Sequence, residues 1–182
     1  MAPSPGNYPW YSLVSGDEIQ QGDILEACPV FSPGITDLAD PTRSSYFNWS
    51  EQHVIVLTQS CDLAKRPGQK DKVEHVLLCS LFARSGLTSG HLSTNKGLED
   101  ARQGNLPSVH MLAECGLPDF TREVRIVDFH RLWSLPLSFL RERCAECGPR
   151  LRLMPPYREQ LSQSFARFFM RVGLPLDIPP FR

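Results

Sequence analysis

The chain has no excess of charge of either sign: 19 Lys and Arg stand against 20 Asp and Glu, a net charge of −1 over 182 residues. Without a basic surplus there is no electrostatic case for broad nucleic-acid binding. Long apolar runs are lacking as well, and none approaches the roughly 20 residues that a membrane-spanning helix needs. No basic-then-apolar leader opens the sequence. These absences predict a soluble, cytoplasmic chain with no membrane partner. Familiar catalytic signatures are also missing. There is no Walker lysine loop, no dinucleotide fingerprint, no serine-hydrolase elbow and no His-Glu-x-x-His. No cofactor is expected.

What is present suits one domain. Hydrophobic residues make up 41% of the chain, enough to bury a core. Sixteen prolines and twelve glycines imply many turns and few long helices. Six cysteines in a reducing compartment are expected as free thiols, metal ligands or core fillers.

The clearest structural signal is the stretch 155–173. Pro155-Pro156 suits a helix entry, Glu159 complements the helix dipole, and Gly173 followed by Pro175 suits a stop. Leu161, Phe165, Phe168, Phe169 and Val172 share helical spacing, with Gln160, Ser164, Arg167 and Arg171 opposite. This helix is expected to lay its phenylalanines on a sheet and leave Arg167 and Arg171 in solvent, with phosphate binding as the competing reading of that face. Arg158 falls at the entry of the apolar side and needs a carboxylate or carbonyl partner. Asp23 and Asp128 are candidates to pair with Arg158 or Arg125.

The rest of the chain divides into short strands. Residues 24–31, 53–57, 73–82, 109–112 and 124–129 read as strands, the second as one buried on both faces. Pro29 pushes the first toward an edge or a bulge. Residues 32–50, with Pro33-Gly34 and Asp40-Pro41, read as a long turn-rich loop, and residues 84–108 as polar with a short helix near 98–102. Gly116-Leu117-Pro118-Asp119 reads as a turn. Residues 137–147 read as a helix stopped by Gly148. Strands come first and helices last, which predicts an α+β fold: a small curved antiparallel sheet or SH3-like barrel covered by C-terminal helices. Its expected divisions are an N-terminal arm over 1–20 carrying Tyr8, Trp10 and Tyr11, a single α+β domain over 21–173, and a proline-rich tail over 174–182.

Gln21-Gly22-Asp23-Ile24-Leu25, Val54-Ile55-Val56-Leu57-Thr58 and Val76-Leu77-Leu78-Cys79-Ser80 together resemble the opening of MazF/PemK-type toxin domains, small SH3-like barrels that cleave RNA. In that family an Arg-Pro pair usually precedes the second strand. Here the place is occupied by Ser50-Glu51-Gln52-His53, so the resemblance implies the barrel shape without the catalytic group. The 54–64 stretch and the C-terminal helix also resemble segments of uncharacterised bacterial proteins, which implies a bacterial source.

Two places qualify as candidate sites. Thr58-Gln59-Ser60-Cys61-Asp62 follows a buried strand, where rigid supports often carry functional groups. Cys61 is a candidate nucleophile if an imidazole lowers its pKa; His53, His75 and His110 are the candidates, and Asp62 or Gln59 would orient the base. Cys61, Asp62 and His75 form the candidate catalytic set. The competing reading is a polar turn in which Ser60 and Asp62 bond local backbone and Cys61 fills the core. Cys144 and Cys147 have zinc-knuckle spacing, but a site needs a second pair, and only His110, Cys115 and His130 are on offer. The competing reading places both thiols on the apolar face of a helix. The functional expectation is a non-catalytic adaptor or ligand-binding domain of a bacterial multi-protein system, defence- or toxin-related, whose partner is another protein. The alternative is an enzyme: a toxin-like RNA endonuclease, or a thiol hydrolase using Cys61.

Overall fold

The computed structural model describes residues 9–33, 47–65, 68–117, 120 and 123–170. Among them are seven strands and four α-helices: β1 (Tyr11–Val14), β2 (Ile24–Pro33), β3 (Phe47–Val56), α1 (Ser60–Leu63), β4 (His75–Ala83), α2 (Asn95–Arg102), β5 (Val109–Leu112), β6 (Arg125–Pro136), α3 (Leu137–Glu146), β7 (Arg150–Leu153) and α4 (Tyr157–Phe169). The expected features at residues 1–8, Gly34, Asp40-Pro41, Pro118-Asp119 and Arg171–Gly173, and the 174–182 tail, lie outside the described residues.

The fold is α+β. Five strands form an antiparallel sheet in the order β2-β3-β4-β6-β5, and β1 pairs with β7 in a second, two-stranded sheet. An isolated bridge between Asp23 and Arg152 links the two. The strands do not close into a barrel. One bond across the opening comes from Tyr11, whose hydroxyl donates to the carbonyl of Ala113, just beyond β5, at 2.7 Å.

The strand expectations hold where apolar residues are continuous. Val54, Ile55 and Val56 in β3 are wholly buried between two neighbours. Pro29 lies on β2, an edge strand whose register shifts between Leu25 and Cys28, and Ala27 in that bulge has φ 46°. Two expectations fall short. Phe47–Ser50 belongs to β3 and not to a loop, pairing with Phe31–Pro33 and Val30 of β2. Strand β6 runs to Pro136, well beyond Phe129. Cys79 of β4 pairs with Leu132, but the next residue, Ser80, pairs with Asp128. Residues 129–131 therefore bulge out of the ladder, and His130-Arg131 interrupts the apolar pattern at that place.

Two large apolar clusters flank the sheet, and a smaller third joins Ala101 of α2 to Val109 and Ile126. Leu137, Leu140 and Cys144 of α3 pack with Val54, Val56, Val76 and Leu78. Leu161 of α4 packs with Ile55, Leu112, Phe129 and Leu153, with Phe165 and Phe168 against them. Phe165 and Phe168 meet the Phe129 ring at centroid distances of 5.4 and 5.8 Å. The helix is thus a lid on the sheet as expected, with one correction: Phe169 is 59% exposed. A helix advances about 100° per residue, so Phe169 sits about 80° round from Leu161 and falls off the packed stripe. Residues 9–20 contribute to the same body. Ile19 is buried in the first cluster, and Trp10 stacks on Tyr157 of α4 with centroids 3.6 Å apart.

The charged pairs differ from expectation. Asp23, fully buried, is held by Arg150 at 3.0 Å and by the guanidinium of Arg152. Arg150 also donates to the carbonyl of Gly16 at 2.8 Å. Arg125 pairs with Glu26, Asp128 with His130 and Arg131, and Arg158 with its neighbour Glu159. Strand β7, a short Arg-Leu-Arg-Leu alternation, is what carries the two arginines to Asp23. Gly22 beside it has φ +85°, and a Cβ there would meet Leu153 at 3.0 Å, so the turn requires glycine.

Candidate functional site

The Thr58–Asp62 corner is held by hydrogen bonds that reach far along the chain. The Thr58 hydroxyl accepts from the Leu77 N–H at 2.7 Å, and the Ser60 hydroxyl accepts from the Gln21 N–H at 3.1 Å. The Gln21 side chain donates to the Leu57 carbonyl and to the Ser162 hydroxyl, both at 2.8 Å, tying the corner to α4. Cys61 is exposed and does not fill the core. Its thiol faces Gln59 Oε1 at 3.7 Å and Asp62 Oδ1 at 3.8 Å, with Lys72 on its carbonyl at 2.9 Å. Cys61 and Asp62 therefore come together, but His75 does not join them. His75 lies at the start of β4 with Nδ1 3.3 Å from the Ser134 hydroxyl. His53 pairs with Glu26. Among the described residues the Cys61 sulfur bonds to an amide and a carboxylate and to no imidazole, so the expected nucleophile–base pair is not assembled.

The two helical cysteines separate. Cys144 is wholly buried, and burial pushes its thiol up to about 12. Cys147 is exposed at the end of α3, where its N–H still donates to the Arg143 carbonyl at 3.0 Å. Among the described residues no three His, Cys, Asp or Glu side chains are grouped as a metal ion would require. No helix among them is long and apolar enough to cross a membrane.

A different place has the geometry of a binding site. A cleft of about 560 Å³ lies between the edge strand β5, the end of α2 and one face of α4. Volumes of several hundred Å³ suit small ligands or a few residues of peptide. Its apolar part comes from Trp10, Leu106, Pro107, Met111 and Leu112. Its polar wall is a helical stripe: Gln160, Gln163, Ser164 and Arg167 recur at i, i+3, i+4 and i+7 on α4. The same helix thus presents two faces, phenylalanines to the sheet and amides, a hydroxyl and a guanidinium to the cleft.

His110 also lines the cleft. Its Nε2 is the one buried side-chain nitrogen or oxygen without a hydrogen-bond partner among the described residues. Burial lowers its pKa to about 4, so the ring is neutral at physiological pH and can donate or accept according to tautomer. No aspartate or glutamate lines the cleft. Arg102 at its rim is held by Glu99 through two hydrogen bonds of 2.7 and 2.6 Å, whereas Arg167 has no such carboxylate among the described residues. The local charge is therefore positive and directed from α4.

The sequence singles out His110 and Arg167 but not their meeting. It offers the first as a base for Cys61 or a zinc ligand, and the second as part of a solvated or phosphate-binding surface. The available signal is the Gln160/Gln163/Ser164/Arg167 stripe, which alone does not say that a strand edge lies opposite. No family model, curated protein or solved structure matches this chain.

Proposed function

We propose that the protein is a non-catalytic ligand-binding domain, acting as an adaptor, and that the cleft between β5 and α4 is its site. The carrying observation is the combination in one 560 Å³ cleft of an apolar floor, a polar helical wall and a histidine with a partnerless buried nitrogen. Buried polar atoms are ordinarily paired, and the exceptions call for an explanation. A ligand that turns the ring to meet it supplies one. The thiol of Cys61 lies in another part of the molecule, among corner residues whose hydroxyls brace the fold.

The test is a ligand screen read by thermal unfolding and by intrinsic tryptophan fluorescence, using amino acids, nucleotides, carboxylic acids and short peptides. It is run on the native chain and on Gln163→Trp, which places an indole in the cleft from an exposed position. Ligands that stabilise the native chain and not the variant support the reading. Binding that survives the blocked cleft, or no binding by any class, overturns it.

A further inference from the structure

Among the described residues strand β5 is the last strand of its sheet and pairs with β6 alone. In an antiparallel pair, alternate residues turn their N–H and C=O toward the neighbour and the others turn theirs away. The register identifies which are which. Val109 stands opposite Asp128, and the Phe129 N–H donates to the Ser108 carbonyl at 2.9 Å. Ser108, His110 and Leu112 therefore face β6, and Val109, Met111 and Ala113 face outward. The Ala113 carbonyl is taken from the outer side by Tyr11, in agreement with this parity. The Val109 N–H is taken by the Leu106 carbonyl at 3.1 Å. Among the described residues no partner meets the Val109 carbonyl or either backbone group of Met111, which lie on the outward edge, in the wall of the cleft.

We propose that the cleft binds an extended peptide segment with an acidic side chain or terminal carboxylate, which adds to β5 as a further strand. This rests on the reading of the cleft as the binding site and names the ligand it takes. The edge N–H and carbonyls, unpaired among the described residues, supply the backbone pairing that such recognition uses. The wall opposite them is a helix, so a strand laid on β5 has its side chains flanked on both sides. Side chains alternate along a strand. One set meets Leu106 and Met111 beside α2; the other meets His110 and the Gln160/Gln163/Ser164/Arg167 stripe. Charge decides the sign of the partner: two arginines and no carboxylate line the cleft, and Arg167 is the cation not already paired there among the described residues.

An arrayed library of eight-residue peptides tests this. Its members alternate Val or Ile with Thr, Glu or Asp, with matched members carrying Lys in place of the acids. Hits are measured by fluorescence anisotropy and repeated with alternate amides N-methylated, which removes the edge-pairing groups and leaves the side chains. Binding by acidic members, weakened roughly tenfold or more by N-methylation and by Met111→Pro, supports the proposal. Proline at 111 deletes an outward N–H and no bond to β6, which an edge strand tolerates. Met111→Leu controls for the side chain, and the N-methylated peptides give the answer without a variant if Met111→Pro unfolds. Peptide binding indifferent to N-methylation, or preferring Lys, overturns the proposal. Small carboxylic acids that bind the cleft when no peptide does overturn it while leaving the ligand-binding reading intact. No binding by either class removes both.

Discussion

His110 should make the protein acid-sensitive between about pH 6.5 and 4. Burial lowers its pKa from 6.5 to about 4. The folded state resists the proton and the unfolded chain accepts it. Stability is therefore undiminished above about pH 7, falls as pH drops through the unfolded pKa near 6.5, and stops falling near 4. Each tenfold difference in proton affinity between the two states is worth about 1.4 kcal/mol, so the full loss is about 3 kcal/mol, and about 2 kcal/mol is lost by pH 5. Glu99 and Glu123 have pKa values lowered from 4.5 and Asp71 from 3.8, so their contributions are lost only at lower pH. The measurement is urea unfolding of the native chain and of His110→Leu at pH 7.5 and pH 5. The native chain should lose about 2 kcal/mol more than the variant between the two conditions. Subtraction removes the other histidines, which are common to both proteins. Equal losses in both, or a His110 ring proton that titrates at the ordinary 6.5 by NMR, would refute the reasoning. A ligand that pairs with the ring should raise its pKa and flatten the same curve.

Further expectations concern the scaffold. Asp23→Ala leaves the Arg150 and Arg152 guanidinium groups without their carboxylate and should cost about 3–5 kcal/mol in denaturant unfolding. Phe168→Ala, on the packed face of α4, should cost about 2 kcal/mol, whereas Phe169→Ala should stay within about 0.5 kcal/mol; equal effects would contradict the orientation of the helix. Native alkylation followed by mass spectrometry should label Cys61 and Cys147 and spare Cys28, Cys79, Cys115 and Cys144 until denaturant is added. Gly97→Ala should destabilise measurably by thermal unfolding, because a Cβ there would meet the His91 carbonyl oxygen at 1.9 Å.

The amino-acid sequence by itself determined the elements whose signal is local. A run such as Val54-Ile55-Val56 cannot face water, and Leu161, Phe165 and Phe168 recur at helical spacing, so a buried strand and a sheet-packed lid were both legible. The α+β class followed from strands preceding helices. Strand β7 carries the alternation of a strand over only four residues, and its buried arginine becomes intelligible only beside Asp23, far earlier in the chain. The far half of β6 was hidden by a bulge that breaks the apolar pattern at His130. The cleft belonged to the tertiary structure alone. His110, Met111 and Arg167 come from a strand edge and a helix that the chain brings together only after the sheet has formed. No spacing in one dimension records which edge of a strand is left unpaired.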